Sequence, residues 1–258
     1  MTFAAPIKMV QLLLVGITVL TAVSTPVAAQ PPVLVVSVAV SVNDALDEIA
    51  GLYRSATGVT VALNAGGSNT LARQIIEGAK AGLFLSADDA QMDLVEKAGR
   101  IVRGTRTKLL TNELTVVVPQ HSKNLTLEQL IDGRVNRLAM GEPAAVPAGV
   151  YGRKWLEHEG AWSRLEPKII PFPTVRAVLT AVENGRVDAG IVYKTDAMST
   201  SNVRVIGSVS PKQHSYLDIS YPAAVIAGPA EAEAKRFLDF LKGPQARAVF
   251  DKRGFGRP

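Results

Sequence analysis

VLVVSVAV (Val33–Val40), SVNDALDEIAGLYRSATG (Ser41–Gly58) and VTVALN (Val59–Asn64) follow one another without a break, and their order decides the fold class. The first is a nearly continuous apolar run, the mark of a strand covered on both faces in the middle of a parallel sheet. In the second, Leu46, Ile49, Tyr53 and Ala56 recur on one helical face, Ser41 and Asp44 have capping-box spacing, and Gly58 closes the helix. The third is a strand again. An apolar strand needs helices over both faces, so strand, helix, strand reads as a crossover unit on a parallel sheet.

Downstream the unit recurs. AGGSNTLARQIIEG (65–78) is a glycine turn feeding a helix, GLFLSA (82–87) a short strand, and DAQMDLVEKAG (89–99) a helix closed by Gly99. A second set begins near residue 113. Leu114, Val116 and Val118 alternate in ELTVVVP, Thr126 to Gln129 offers a capping box, and RLAMG (137–141), KIIPF (168–172) and DAGIVY (188–193) are strand-like. Between them PAGVYGRKWLEHEG (147–160) and TVRAVLTAVENG (174–185) are helical, the latter stacking Val175, Leu179 and Val182. YPAAVIAG (221–228) adds another strand, and Phe237, Leu238 and Leu241 give the run from Glu231 an amphipathic helical face. These are too many units for one small sheet, so two α/β lobes are expected, with the chain crossing between them more than once.

Upstream of Val33 the chain reads as an export leader. Lys8 and the free amine precede an uncharged apolar run from Met9 to Val23, and STPVAA (24–29) ends in small residues at Val27 and Ala29. The run is shorter than the roughly 20 residues that cross a bilayer, and the Val-x-Ala ending favours cleavage after Ala29. Residues 1–29 are therefore expected to be a signal peptide, and no later stretch is long and apolar enough to span a membrane.

Composition excludes several kinds of chemistry. The 258 residues are 47% hydrophobic and 20% charged, as in ordered globular proteins. Without cysteine there is no disulfide, no thiol nucleophile, no Cys-bearing metal site and no lipid-anchored cysteine. The formal charge of +5 carries no block of like charges, which gives no support to a nucleic-acid groove. His121, His158 and His214 are far apart in sequence, so a histidine metal site would need help from carboxylates. G-x-G-x-x-G after the first strand, the phosphate-binding P-loop, H-E-x-x-H and G-x-S-x-G are all missing. GGSNT around Ser68 lacks the second glycine of a nucleophile elbow. Asp88 and Asp89 read as acids favoured at a helix start by its dipole and free amides, in preference to a metal pair.

What remains is a set of uncharged turns at strand-to-helix junctions: Ser41 after the first strand, Ser68 after Gly66 and Gly67, Ala148 in VPAG, and Val175 in the first turn of TVRAVL. Each can present backbone N–H groups without intrahelical partners, and such groups converge beyond the carboxyl ends of parallel strands. Read singly, each is a helix cap. Together, joined by a serine or tyrosine hydroxyl, they can form a cage of donors for a small dehydrated anion. The residues alone leave open which tetrahedral anion that is. They also leave open an exported enzyme, which would need a nucleophile and a base within about 3 Å.

SVNDALDEIA (41–50), GGSNTLARQIIEGAKAGLFLSAD (66–88), KLLTNELTVVVP (108–119), RLAMGEPAAVPAGVYGRKWLEHEGAW (137–162), VRAVLTAVENGRVDAGIVYKTDA (175–197) and the C-terminal YPAAVIAG and LKGPQARAVFDKRGF resemble the periplasmic molybdate-binding proteins, the substrate-binding components of molybdate ABC importers. The likeness covers nearly the whole mature chain. It implies a type II-like two-lobed periplasmic binding protein fold with the ligand cleft between the lobes. Lobe one would hold residues 30–112 and 219–258, and lobe two residues 113–218. It also implies a monomer in the periplasm that binds molybdate or tungstate and delivers it to an importer permease in the membrane, with no catalytic residue, cofactor or free metal cation. Its donors are implied to be Ser41, Ser68, Ala148, Val175 and Tyr193, of which the tyrosine comes from the resemblance alone. Three positions depart from the family pattern: Gly82 and Thr174 stand where acids are usual, and the first strand ends VSVAVS instead of an alanine-rich form.

Overall fold

The computed structural model describes residues 1–2, 33–122, 125–209 and 214–258. The leader expected over residues 1–29 lies, apart from Met1 and Thr2, outside the described residues. From β1 (Val33–Ala39) the chain passes through a 3₁₀ turn (Val40–Val42) into α1 (Asn43–Thr57), then β2 (Thr60–Gly66), α2 (Ser68–Ile76), β3 (Leu83–Leu85), α3 (Asp89–Lys97) and β4 (Thr107–Thr111). Next come β5 (Leu114–Pro119), α4 (Leu127–Ile131), β6 (Leu138–Gly141), α5 (Pro147–His158), α6 (Trp162–Leu165), β7 (Ile169–Phe172), α7 (Val175–Glu183), β8 (Ala189–Tyr193) and α8 (Lys194–Ala197). The chain ends with β9 (Val203–Val209), β10 (Ser220–Val225), α9 (Glu231–Lys242) and α10 (Pro244–Lys252).

The strands form two five-stranded sheets, ordered β2-β1-β3-β10-β4 and β7-β6-β8-β5-β9. In the first, β1 runs parallel to β2 and β3, as the crossover reading expects, while β10 is antiparallel to both β3 and β4. In the second, β6 is parallel to β7 and β8, while β5 is antiparallel to β8 and β9. Both sheets are therefore mixed. β10 follows β9 of the other sheet instead of a crossover helix, so its direction is set by where the chain re-enters.

Local signals explain most element ends. Gly58 adopts a left-handed conformation, φ 76°, and its N–H bonds to the Arg54 carbonyl, ending α1. Asp88 caps α3 by accepting from the Gln91 N–H, and Thr126 and Gln129 form the reciprocal capping box of α4. The expected alternation of β5 gives way to complete burial from Leu114 to Val118, because β5 lies between β8 and β9 and also touches α5 and α7. The C-terminal run is two helices, broken at Gly243 with Pro244 opening α10; Phe237, Leu238 and Leu241 are buried. Among the described residues no helix is long and apolar enough to cross a membrane.

Candidate functional site

In each sheet the parallel strands end at one edge, and there the chain turns into a helix. β1 leads to the 3₁₀ turn holding Ser41, β2 to α2 starting at Ser68, β6 through a loop to α5 with Ala148, β7 to α7 starting at Val175, and β8 ends at Tyr193 itself. Ser41, Ser68, Ala148, Val175 and Tyr193 all line a single cavity, and all are buried. No charged side chain lines it among the described residues. Traced by the centre of a water-sized sphere, its volume is about 20 Å³, a space for an ion of a few atoms and not for a sugar or peptide. Gly67 seals one side: a Cβ there would stand 3.1 Å from the Pro173 carbonyl oxygen, so the two sheets' connecting turns meet almost backbone to backbone.

The donors can be counted. α2 and α5 have no side-chain cap at their N-termini, so the first N–H groups of both helices lack partners within the helix. Pro147 at the first position of α5 has no N–H to offer, leaving those of Ala148 and Gly149. In α7 the Thr174 hydroxyl accepts from the Ala177 N–H at 3.2 Å, which leaves the Val175 N–H free; threonine here does the capping work of the usual acid without adding charge. The Ser68 hydroxyl oxygen accepts from the Ala87 N–H at 3.0 Å, so its own proton is available to donate.

Ser41 is held differently from the sequence expectation. It does not cap α1, whose N-cap is Val42 with no side-chain bond. Its hydroxyl lies 3.0 Å from the phenol oxygen of Tyr221, 180 residues away. The Asn112 amide donates to the same phenol at 3.1 Å and to the Thr195 hydroxyl at 3.0 Å, its carbonyl oxygen accepting from the Glu113 N–H. Either hydroxyl can donate in the Ser41–Tyr221 bond; when the phenol donates, the serine proton is left for the cavity. Tyr221 and Asn112 were not found from sequence; the phenol opens the strand stretch YPAAVIAG and nothing local marks it as a partner of Ser41.

Tyr193 supplies the most informative atom. Its hydroxyl is buried and has no hydrogen-bond partner among the described residues, and burial holds its phenol well above the ordinary tyrosine range, so it stays a neutral donor. Its backbone N–H donates to the Asp196 carboxylate at 3.2 Å. Asp196 in turn faces the Arg176 guanidinium at 2.9 Å, an ion pair without hydrogen-bond alignment, and Arg176 also donates to Asp44 of α1 at 2.8 Å and to Ser199 at 3.0 Å. Arg176 thus ties α1 to α7 and α8 directly beside the cavity, outside its lining.

Two buried acids near the site have raised affinities for protons. Burial pushes the Asp196 carboxyl up to about 7, with Arg176 and the Tyr193 N–H pulling it back, and pushes Asp88 up to about 6 against the Gln91 N–H and the Ser86 hydroxyl. Unfolded, such groups titrate near 4. The native state therefore holds protons that the unfolded chain has released, and stability falls as pH rises from about 4 through about 7. Acids held low by arginines, such as Asp251 with Arg247 and Arg257, act only below that window. Thermal unfolding should accordingly show a higher midpoint at pH 5 than at pH 8, and Asp196→Asn should flatten that slope; an unchanged slope would place the titration elsewhere.

Gly82 makes close contact with Leu34, whose Cδ1 would lie 2.6 Å from an added Cβ, and the glycine's backbone pairs with Val35 and Ile226. The position is filled by packing, and an acid does not fit it without moving Leu34.

Residues 34–256 match the family described as bacterial extracellular solute-binding protein. The chain belongs to this family. Among curated relatives, it is 40% identical over 230 residues to the molybdate-binding protein ModA of Escherichia coli K12, covering 86% of this chain and 88% of that protein. Among solved structures, the periplasmic molybdate-binding protein of Azotobacter vinelandii superposes with a TM-score of 0.78 at 24% identity, over 87% of this chain and 99% of its own. The sulfate-binding protein SubI of Mycobacterium tuberculosis gives 0.74 at 14% identity, over 87% and 86%. At those two identities the likeness concerns the fold, a two-sheet α/β periplasmic binding protein, and solute binding is the family's role.

Proposed function

We propose that this family member captures molybdate outside the cytoplasm, takes tungstate as well, and hands the anion to the permease of an ABC importer. The observation that carries this reading is the Tyr193 hydroxyl, buried without a partner among the described residues in the wall of a cavity that Ser41 and Ser68 also line, together with the uncapped first turn of α5 and the Val175 residue that opens α7. The name of the 40% identical relative supports the choice of anion.

The physical case rests on donors without charge. A tetrahedral dianion loses much of its hydration on entering a closed cavity, so it requires many well-aimed hydrogen bonds, each charge-assisted one worth about 1.5–3 kcal/mol. Fixed dipoles and hydroxyls hold it without a buried cation that would be left unpaired and poorly solvated on release. Sulfate offers the same acceptors on a smaller shell, so selection rests on cage size. Tungstate nearly matches molybdate and follows it.

In this reading residues 30–112 and 219–258 form one lobe and 113–218 the other; support comes from β10 pairing with β3 and β4. The Arg176–Asp44 ion pair then joins the two lobes beside the cavity. The mature protein begins at Gln30 after leader cleavage, and works as a monomer in the periplasm. Calorimetric titration with molybdate, tungstate, sulfate and phosphate tests the proposal: molybdate and tungstate should bind one per chain and far more tightly than the other two. Preference for sulfate or phosphate would reject it.

A further inference from the structure

The three histidines are scattered in sequence, yet two of them meet in space. Ligand atoms of His158, Glu159 and His214 all lie within 4.8 Å of one another. His158 is the last residue of α5, Glu159 is its C-cap, and His214 comes from the segment leading into β10. The cluster belongs to neither the cavity nor the Arg176 ion pair.

We propose that these three side chains form a surface site for a divalent transition metal of the zinc type. Two imidazoles and a carboxylate are the donor set that zinc accepts while keeping a position open for water. Tetrahedral ligands around zinc stand about 3.3 Å apart, so rotation of side chains that are exposed or only half-buried closes the remaining gap. Tyr216 orders both rings: it packs on His158 at 4.2 Å between centroids, tilted by 30°, and its hydroxyl lies 3.2 Å from His214 Nδ1. When Nδ1 donates to that hydroxyl, the lone pair of Nε2 is left for the metal, the arrangement by which outer partners fix a ligating imidazole. The last turn of α5 adds a negative dipole end that favours a cation there. Lys154, one turn earlier, is the nearby positive charge on the same helix, and its long exposed chain can swing away.

A metal at this point would link the C-terminal end of the helix whose first turn carries Ala148 to the approach of β10. The site does not depend on the identity of the anion, and the two proposals fail separately. The test is zinc titration by calorimetry of the untagged exported protein after chelator treatment, with molybdate titration of each variant as the check on folding. Wild type should bind one zinc per chain. His158→Ala and His214→Ala should each weaken that event by at least tenfold, the low end of what loss of a metal's supporting groups costs, while His121→Ala leaves it unchanged. Molybdate binding should persist in all three variants. Absence of a zinc event in wild type, or an event that survives both His158→Ala and His214→Ala, would overturn the proposal.

Discussion

Tyr193→Phe and Ser68→Ala will each weaken molybdate binding by roughly 10- to 150-fold, the equivalent of about 1.5–3 kcal/mol for one hydrogen bond to a charged group. The two substitutions differ in what they do to the empty protein, and that difference identifies the mechanism. The Tyr193 hydroxyl bonds to nothing among the described residues, so its removal preserves ring packing and leaves stability unchanged or slightly raised while the ligand loses a donor. Ser68 also accepts from the Ala87 N–H. Alanine there strands a buried amide, and a loss of about 1–3 kcal/mol in stability should accompany the loss of affinity. Calorimetry with parallel thermal unfolding separates the two effects. Near-wild-type molybdate affinity in both variants would defeat the donor cage.

Gly149→Ala should be the most damaging small substitution near the site. A Cβ at this position would stand 2.2 Å from the Gly141 carbonyl oxygen, 2.6 Å from its carbon and 2.7 Å from the Glu142 oxygen. All three are backbone atoms at the end of β6, so no side chain can rotate away. Relief requires α5 to move off the strand, at a cost of about 3 kcal/mol, toward the upper end for overpacking. For a chain of this size that lowers the unfolding midpoint by roughly 6–12 °C. Molybdate binding falls with it, because the displaced turn carries the Ala148 N–H. Gly51→Ala in α1 is the control: an added Cβ there meets nothing within 4 Å, and replacing a mid-helix glycine should stabilise by roughly 0.5–1 kcal/mol. Equal midpoints for the two variants would contradict the close approach of α5 to β6.

Much of this was legible because it is local. The apolar run of β1, the spacing of Leu46, Ile49 and Tyr53, Gly58 and the Thr126–Gln129 box act within a few residues and read the same in sequence and structure, whereas Ala56, expected on the same face of α1, is exposed near the helix end. Ser41 shows where local reading stops. Capping-box spacing to Asp44 is present, but the 3₁₀ turn moves the start of α1 to Asn43 and the hydroxyl goes to Tyr221 on β10. Nothing near residue 41 announces a phenol 180 positions later. Strand direction was hidden for a similar reason: the composition of β10 fits either sense, and only the path of the chain from β9 fixes it. β9 itself was missed because it pairs only with β5 at the sheet edge and buries little beyond its ends. The break between α9 and α10 was available in the Gly243–Pro244 pair and was masked by the apolar face of Phe237, Leu238 and Leu241. Tyr193 was reached by resemblance alone, since its position at the end of an apolar strand looks like core; its unpaired hydroxyl becomes visible only when the surroundings are built.

The central claim is that one oxyanion sits in the cage where β1, β2, β6, β7 and β8 end. X-ray diffraction from crystals grown with molybdate, recorded on both sides of the molybdenum absorption edge, tests it most directly. The account predicts a single anomalous peak inside the cavity, with oxygen atoms at hydrogen-bond distance from the Ser41, Ser68 and Tyr193 hydroxyls and the Ala148 and Val175 N–H groups. A fully occupied molybdenum peak elsewhere on the molecule, with the cavity holding only water and the Tyr193 hydroxyl still unpaired, would contradict it.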